Sequence, residues 1–217
     1  MVDDLLSGLK GKTVVEKLNF LTGNYPGRVI FTTSFGYEDQ VITDIIFRND
    51  IPVKVATLDT GRLFEETYKV YRSTLERYGK SITAFFPPAK EVEKMLKEKG
   101  PFSFYESVEN RKECCYIRKV IPLRRALEGM SVWITGLRSS QSENRSNLGE
   151  VEWDESNRII KFNPLLDWSL DRVKSYVKEH NIPYNVLHDR GFVSIGCEPC
   201  TRAIREGEDF RAGRWWW

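Results

Sequence analysis

No stretch of this sequence stays apolar for eighteen residues, so no membrane-spanning helix is expected. The opening Met1-Val2-Asp3-Asp4 lacks the basic and apolar segments of a secretory leader. A cytoplasmic, reducing location is therefore expected, where cysteines read as reduced ligands rather than disulfides. Net charge is scarce as well: 33 Lys and Arg against 31 Asp and Glu leave +2, too little to argue for a nucleic-acid partner. There is no internal repeat, low-complexity segment or second-domain boundary. Residues 1–217 are read as one domain, long enough to bury a sizeable core. Association of copies into a homo-oligomer is compatible with the pattern. Histidine occurs twice. His180 reads as a helix C-terminal residue without chemistry. His188 could serve function, but packing or a loop hydrogen bond is the simpler reading.

Cysteine is sparse too, and its arrangement is informative. Cys114 and Cys115 are adjacent, and Cys197 and Cys200 follow about eighty residues later as Cys-x-x-Cys. Four thiols in two pairs, with none left over, suggest one four-ligand site closed across the fold, suited to zinc or an iron–sulfur cluster. The bland alternative is a set of small buried core residues. Adjacent side chains diverge by about 100° on a helix and face opposite sides of a strand. Both can reach one centre only if it is large or the backbone bends. A cubane cluster satisfies that better than a single zinc ion.

The small net charge hides local bias. Arg111, Lys112, Arg118, Lys119, Arg124 and Arg125 surround the first cysteine pair, and Arg202, Arg205, Arg211 and Arg214 follow the second. Both clusters flank thiols, which predicts a small anionic substrate near the metal site.

Hydrophobic periodicity predicts a helix over 3–20 and a strand over 28–33. The strand leads into Ser34-Phe35-Gly36-Tyr37-Glu38-Asp39 and a helix through Phe47. A second strand, 53–58, leads into Asp59-Thr60-Gly61-Arg62 and a helix over 63–78. A third strand, 82–86, precedes a helix over 89–99. Residues 109–127 read as a helix with Pro122 as a kink or boundary. A fourth strand, 131–135, delivers Gly136-Leu137-Arg138 and the polar loop to Arg145. Two short strands within 151–162 and a helix over 169–180 complete the pattern. Strands alternating with helices predict an α/β fold, a mostly parallel twisted sheet flanked by helices, with ligands beyond the strands' carboxyl ends. A strand, a Gly-containing polar loop and a helix N-terminus together form a phosphate-binding arrangement. The candidate contacts are Ser34, Phe35, Gly36, Glu38 and Asp39, then Asp59, Thr60, Gly61 and Arg62, then Gly136, Arg138 and Arg145. For each, turn chemistry, capping or a solvated loop is the plainer alternative. The terminal Trp215-Trp216-Trp217 could dock the tail on the core or offer a platform for a base or a partner.

Several stretches together carry a family resemblance: Thr33 through Asp39, Leu58-Asp59-Thr60-Gly61-Arg62-Leu63, Cys114-Cys115-Tyr116-Ile117-Arg118-Lys119-Val120, Thr135-Gly136-Leu137-Arg138, Asn163 through Trp168, Pro183 through His188, and Ser194 through Trp217. They resemble the assimilatory sulfonucleotide reductases, specifically the iron–sulfur branch acting on adenylylsulfate (APS). The related 3′-phosphoadenylylsulfate (PAPS) reductases mostly lack the cluster. The resemblance implies an adenine nucleotide alpha hydrolase-like fold and a [4Fe–4S] cluster on Cys114, Cys115, Cys197 and Cys200. It implies nucleotide contacts from Ser34 and its neighbours, Leu58, Gly136 and Arg145, with Lys119, Arg211 and Arg214 around the phosphosulfate. It also implies attack by a thiolate on the sulfate sulfur with release of AMP, and sulfite release by thioredoxin or a similar dithiol. One departure stands out: the family's nucleophile is a further cysteine in a Glu-Cys-Gly-Leu-His motif on a mobile tail, and this sequence has no fifth cysteine. The expectation is that the motif lies past Trp217. Two rival readings remain: a PAPS reductase, and a nucleotide-binding module with a structural metal and no reductase activity.

Overall fold

A computed structural model describes residues 2–139, 148–209 and 211–217. Six strands form one sheet: β1 Val29–Thr33, β2 Lys54–Leu58, β3 Thr83–Phe85, β4 Val132–Ile134, β5 Val151–Asp154 and β6 Ile159–Phe162. Their order is β3-β2-β1-β4-β6-β5. All neighbours are parallel except the β5–β6 hairpin. The helices are α1 Val2–Leu9, α2 Val14–Asn24, α3 Tyr37–Arg48, α4 Glu65–Tyr78, α5 Ala89–Lys99, α6 Val108–Cys115, α7 Ile121–Leu127 and α8 Leu170–Glu179. The mostly parallel α/β architecture agrees with the alternation in the sequence. Among the described residues no helix is long and apolar enough to cross a membrane.

Strand side chains alternate between two buried faces, which explains why these runs are apolar throughout. Phe31, Val55, Val132 and Ile134 enter one core, while Ile30 and Ala56 meet Ala126 and Leu127 of α7 on the other. Each fully buried large side chain contributes roughly 1.5–3 kcal/mol relative to exposure. Helix α3 is buried along Asp39–Phe47. Its most deeply buried acid, Asp44, accepts from Arg48 Nη2 (2.9 Å), Tyr78 Oη (2.7 Å) and Tyr176 Oη (3.0 Å), tying α3 to α4 and α8.

Two expectations need correction. The single helix over 3–20 is two helices. Gly11 takes φ +74°, and Thr13 starts α2 with a reciprocal capping box, in which Glu16 accepts from Thr13 N at 2.8 Å. The helix over 109–127 is α6 and α7 joined by a five-residue π-turn, Tyr116–Val120. The wider turn accommodates Pro122, which has no N–H to continue an α ladder.

Sequential order reverses across the sheet at β1: β2 and β3 lie on one side and β4 on the other. The carboxyl ends of β1 and β4 thus open a crevice where this class of sheet binds ligands.

Candidate functional site

The crevice begins where β1 ends. Phe35 adopts φ 62°, unusual for a non-glycine residue and costing roughly 1–2 kcal/mol. The cost is offset because the ring is buried, stacks on Tyr71 at 4.9 Å, and its N–H donates to Thr33 Oγ1 at 3.0 Å. The chain then turns through Gly36 into α3, which has no side-chain cap at its N-terminus. Asp39 Oδ2 instead folds back and accepts from both Ser34 N and Ser34 Oγ at 2.6 Å. Burial pushes the Asp39 carboxyl up to about 6, against the lowering effect of the two Ser34 bonds. Gly136, at the end of β4, makes this possible: a Cβ there would overlap Asp39 Oδ1 and stand 3.3 Å from its Cγ. Glu38, one residue earlier, pairs with the buried Arg138 at 2.6 Å.

The crevice has two lobes sharing Thr32, Ser34 and Ile195. One, of about 190 Å³, is lined among others by Phe35, Leu58, Thr60, Lys119, Cys197 and Arg214. The other, of about 240 Å³, is lined by Gly36, Glu38, Asp39, Gly136, His188 and Arg211. Ser34, Phe35, Gly36, Glu38, Asp39, Leu58, Thr60, Gly136, Lys119, Arg211 and Arg214 therefore converge on one crevice. Asp59, Gly61, Arg62 and Arg138 do not line it. Asp59 organises its own loop by accepting from Gly61 N (2.8 Å) and Tyr68 Oη (2.9 Å). Arg138 is engaged by Glu38, and Arg62 turns toward the cysteines. Arg145 lies outside the described residues.

The cysteines line a narrow pocket beside the first lobe, together with Arg62, Phe104, Arg118, Lys119 and Trp215. All four are free thiols, and Cys114, Cys197 and Cys200 are buried. Cys114 and Cys115 are the last two residues of α6, and the π-turn begins at Tyr116 directly after them. Cys197 arrives by an antiparallel bridge to Leu63, and Glu198 N donates to Arg62 O at 2.8 Å. Cys197 Sγ donates to Thr60 Oγ1 at 3.3 Å. The tail then returns: Thr201 bridges Arg214, and Arg202 N donates to Gly213 O at 2.9 Å. Burial pushes the Cys200 thiol up to about 11, with the neighbouring cysteines adding to it and Lys119 opposing. Burial also raises Cys114, against Arg118 and Arg62. Among the described residues no three His, Cys, Asp or Glu side chains are grouped to hold a single metal ion. Two buried donors in the pocket, Arg118 Nε and Trp215 Nε1, have no hydrogen-bond partner.

Sequence reasoning passed over Thr32, Thr57 and Ile195 as lining residues, and Trp215 as part of the cysteine pocket. The first two lie in apolar strands, and only the alternation of strand faces could have flagged them. His188 sits at the crevice wall, stacked on Tyr37 at 4.2 Å with Nδ1 bonded to Phe192 O at 2.8 Å. Packing and a loop hydrogen bond engage one side of the ring, while its buried Nε2 has no hydrogen-bond partner. Of the three tryptophans, Trp215 docks on the thiols. Trp216 and Trp217 stay near 43% and 42% exposed, with Trp217 against Tyr105 at 4.5 Å.

Comparison with known proteins follows the same geography. A family model described as the phosphoadenosine phosphosulfate reductase domain matches residues 28–203, from β1 through the second cysteine pair. A protein of Agrobacterium fabrum named adenosine 5′-phosphosulfate reductase is 50% identical over 209 residues, 96% of this chain and 80% of that protein. One of the same name from Allochromatium vinosum is 48% identical over 189 residues, 87% of this chain and 74% of that protein. The crystal structure of phosphoadenylyl-sulfate reductase from Candida auris, a phosphate complex, is 32% identical with a TM-score of 0.80, covering 93% of this chain and 96% of that one. An FMN adenylyltransferase of Candida glabrata, 15% identical with a TM-score of 0.57 over 90% of this chain and 68% of that one, shares the fold alone. On this extent of match, the chain belongs to the phosphoadenosine phosphosulfate reductase family, whose members are sulfonucleotide reductases.

Proposed function

We propose that the protein reduces adenylylsulfate to sulfite and AMP, with a [4Fe–4S] cluster on Cys114, Cys115, Cys197 and Cys200. The observation that carries this reading is the contiguity of the cysteine pocket and the crevice: Lys119 and Cys197 line both. The four residues suit a cluster by their chemistry. Four thiolates lining one buried pocket would repel one another and be poorly solvated, and iron would offset that charge. The unpartnered Arg118 Nε and Trp215 Nε1 supply N–H donors for an acceptor in the pocket. When bound, the cluster would fix the four thiolates and, with them, the turn that carries Lys119.

Adenylylsulfate would lie across the carboxyl ends of β1, β2 and β4. The N-terminus of α3, which has no side-chain cap, offers backbone donors, and Lys119, Arg211 and Arg214 balance the phosphosulfate charge. A cysteine thiolate attacks the sulfate sulfur and AMP leaves with the S–O bonding pair, forming S-sulfocysteine. A dithiol such as thioredoxin then attacks the cysteine sulfur. Sulfite leaves with the S–S bonding pair, giving a mixed disulfide, and the second thiol attacks the reductant's sulfur of that disulfide, closing the reductant's own disulfide and releasing the enzyme cysteine as thiolate. Sulfur gains two electrons and the dithiol loses two. The attacking cysteine is one other than the four ligands, because a ligated thiolate has its electron pairs committed.

The near-50% identity to proteins named for APS favours that nucleotide, whereas the Candida auris structure is of a PAPS reductase. Competitive binding of APS and PAPS to the purified chain decides the point. Tighter APS binding, displaced by AMP, is expected. Preference for PAPS would establish the second reading, and binding of neither would overturn both.

A further inference from the structure

Arg111, Arg211 and Arg214 come from two distant segments, yet their guanidinium carbons lie 4.9, 5.5 and 5.3 Å from the centre of one ring, that of Trp215. All three distances fall within the range of cation–π attraction. None of the three arginines forms an ion pair with a carboxylate among the described residues. Arg214 Nε is buried without a hydrogen-bond partner. Three like charges are thus gathered without a carboxylate partner among the described residues, and the negative face of an indole is their common neighbour. The ring also stands where three spaces meet. Arg214 lines the smaller lobe, Arg211 the larger, and Trp215 itself the cysteine pocket.

We infer that Trp215 is a positioning residue. Its π face holds Arg211 and Arg214 in their anion-ready places while the crevice is empty and ties both to the cysteine pocket. This rests on the proposed reading of the crevice as a sulfonucleotide site. A hydrophobic side chain of similar size could fill the same space but could not offset the crowding of the guanidiniums. A carboxylate could offset it, but would pair with the arginines and compete with the substrate's own charge. An indole attracts cations without saturating their N–H donors, so both arginines keep donors for an oxyanion.

The test is a graded one. Tryptophan at 215 is replaced through nonsense suppression by mono-, di-, tri- and tetrafluorotryptophan, which weaken the π face at nearly constant shape. APS and AMP affinities of the intact chain are then measured by calorimetry, with Trp215→Phe and Trp215→Leu in parallel. APS affinity should fall stepwise with fluorination, reaching roughly 2- to 30-fold for the weakest ring or for leucine. Phenylalanine should lie between. AMP, which lacks the sulfate, should respond less. The fluorination effect should largely vanish in an Arg211→Ala, Arg214→Ala background. A flat series with unchanged fold and iron content overturns the inference while leaving the site reading intact, even if the leucine variant fails to fold. Wild-type protein that binds neither nucleotide overturns the site reading, and the inference with it.

Discussion

Replacing Gly136 by alanine tests the architecture of the crevice at a single atom. The added Cβ would overlap Asp39 Oδ1 and come within 3.3 Å of Glu38 Cβ, so the carboxylate must move. Asp39 Oδ2 now accepts from Ser34 N and Oγ at 2.6 Å. A displacement on the order of 1 Å stretches both bonds to about 3.6 Å, beyond hydrogen bonding. Each bond to a charged acceptor is worth about 1.5–3 kcal/mol. Partial relaxation of the loop reduces the total to about 2–4 kcal/mol, or about 5–15 °C in Tm for a chain of this size. The loss falls on the loop that also holds Phe35 at positive φ, so nucleotide affinity should drop as well. Thermal unfolding and calorimetric AMP binding measure the two effects. The control is the same change in an Asp39→Ala background, where no carboxylate remains to be displaced and Gly136→Ala should cost under about 1 kcal/mol. Equal cost in both backgrounds, or an unchanged Tm in the first, refutes the reasoning.

Three other expectations follow from the same contacts. The Asp39 carboxyl is raised from 3.8 to about 6, so the folded state favours its protonated form. Its contribution to stability is full below about pH 4 and is lost as pH rises toward 6, and a wild-type minus Asp39→Asn difference that is flat across that window contradicts this. Asp44→Ala removes the acceptor of Tyr78, Tyr176 and Arg48 at once and should cost about 2–4 kcal/mol in denaturant unfolding with AMP affinity near normal, whereas a cost below about 1 kcal/mol would count against its tying role. Lys119→Ala should weaken APS binding by roughly 10- to 100-fold, the loss of one charge-assisted contact, while iron content stays near wild type; loss of iron would recast the lysine as structural.

The sheet was legible because β1, β2 and β4 are short β-branched runs ended by polar Gly-containing loops, and two buried faces demand apolarity along the whole strand. The break at Gly11 was hidden because Leu5, Leu9, Val14, Leu18 and Leu21 keep near-helical spacing across it. The capping pair Thr13 and Glu16 was the available signal. The π-turn left no mark in periodicity, although Pro122 and the adjacent cysteines both hinted at an irregular helix. Strand-end residues such as Ser34 and Asp39 were legible by position. The direction of an arginine was not. Arg62 turns to the ring of Phe104 at 4.8 Å, because Glu198 and Cys197 of the distant Cys-x-x-Cys segment pair with its backbone side of the loop. Arg138 is engaged by Glu38 a hundred residues away. Such long-range pairings are set by tertiary contacts that local pattern does not encode.

The four thiols are proposed to act as one ligand set beside the crevice. Iron and acid-labile sulfide per chain, measured after anaerobic purification, address that most directly. About four of each are expected, falling toward zero in Cys197→Ser. Stoichiometric zinc without sulfide, or iron that survives the loss of Cys197, would contradict it.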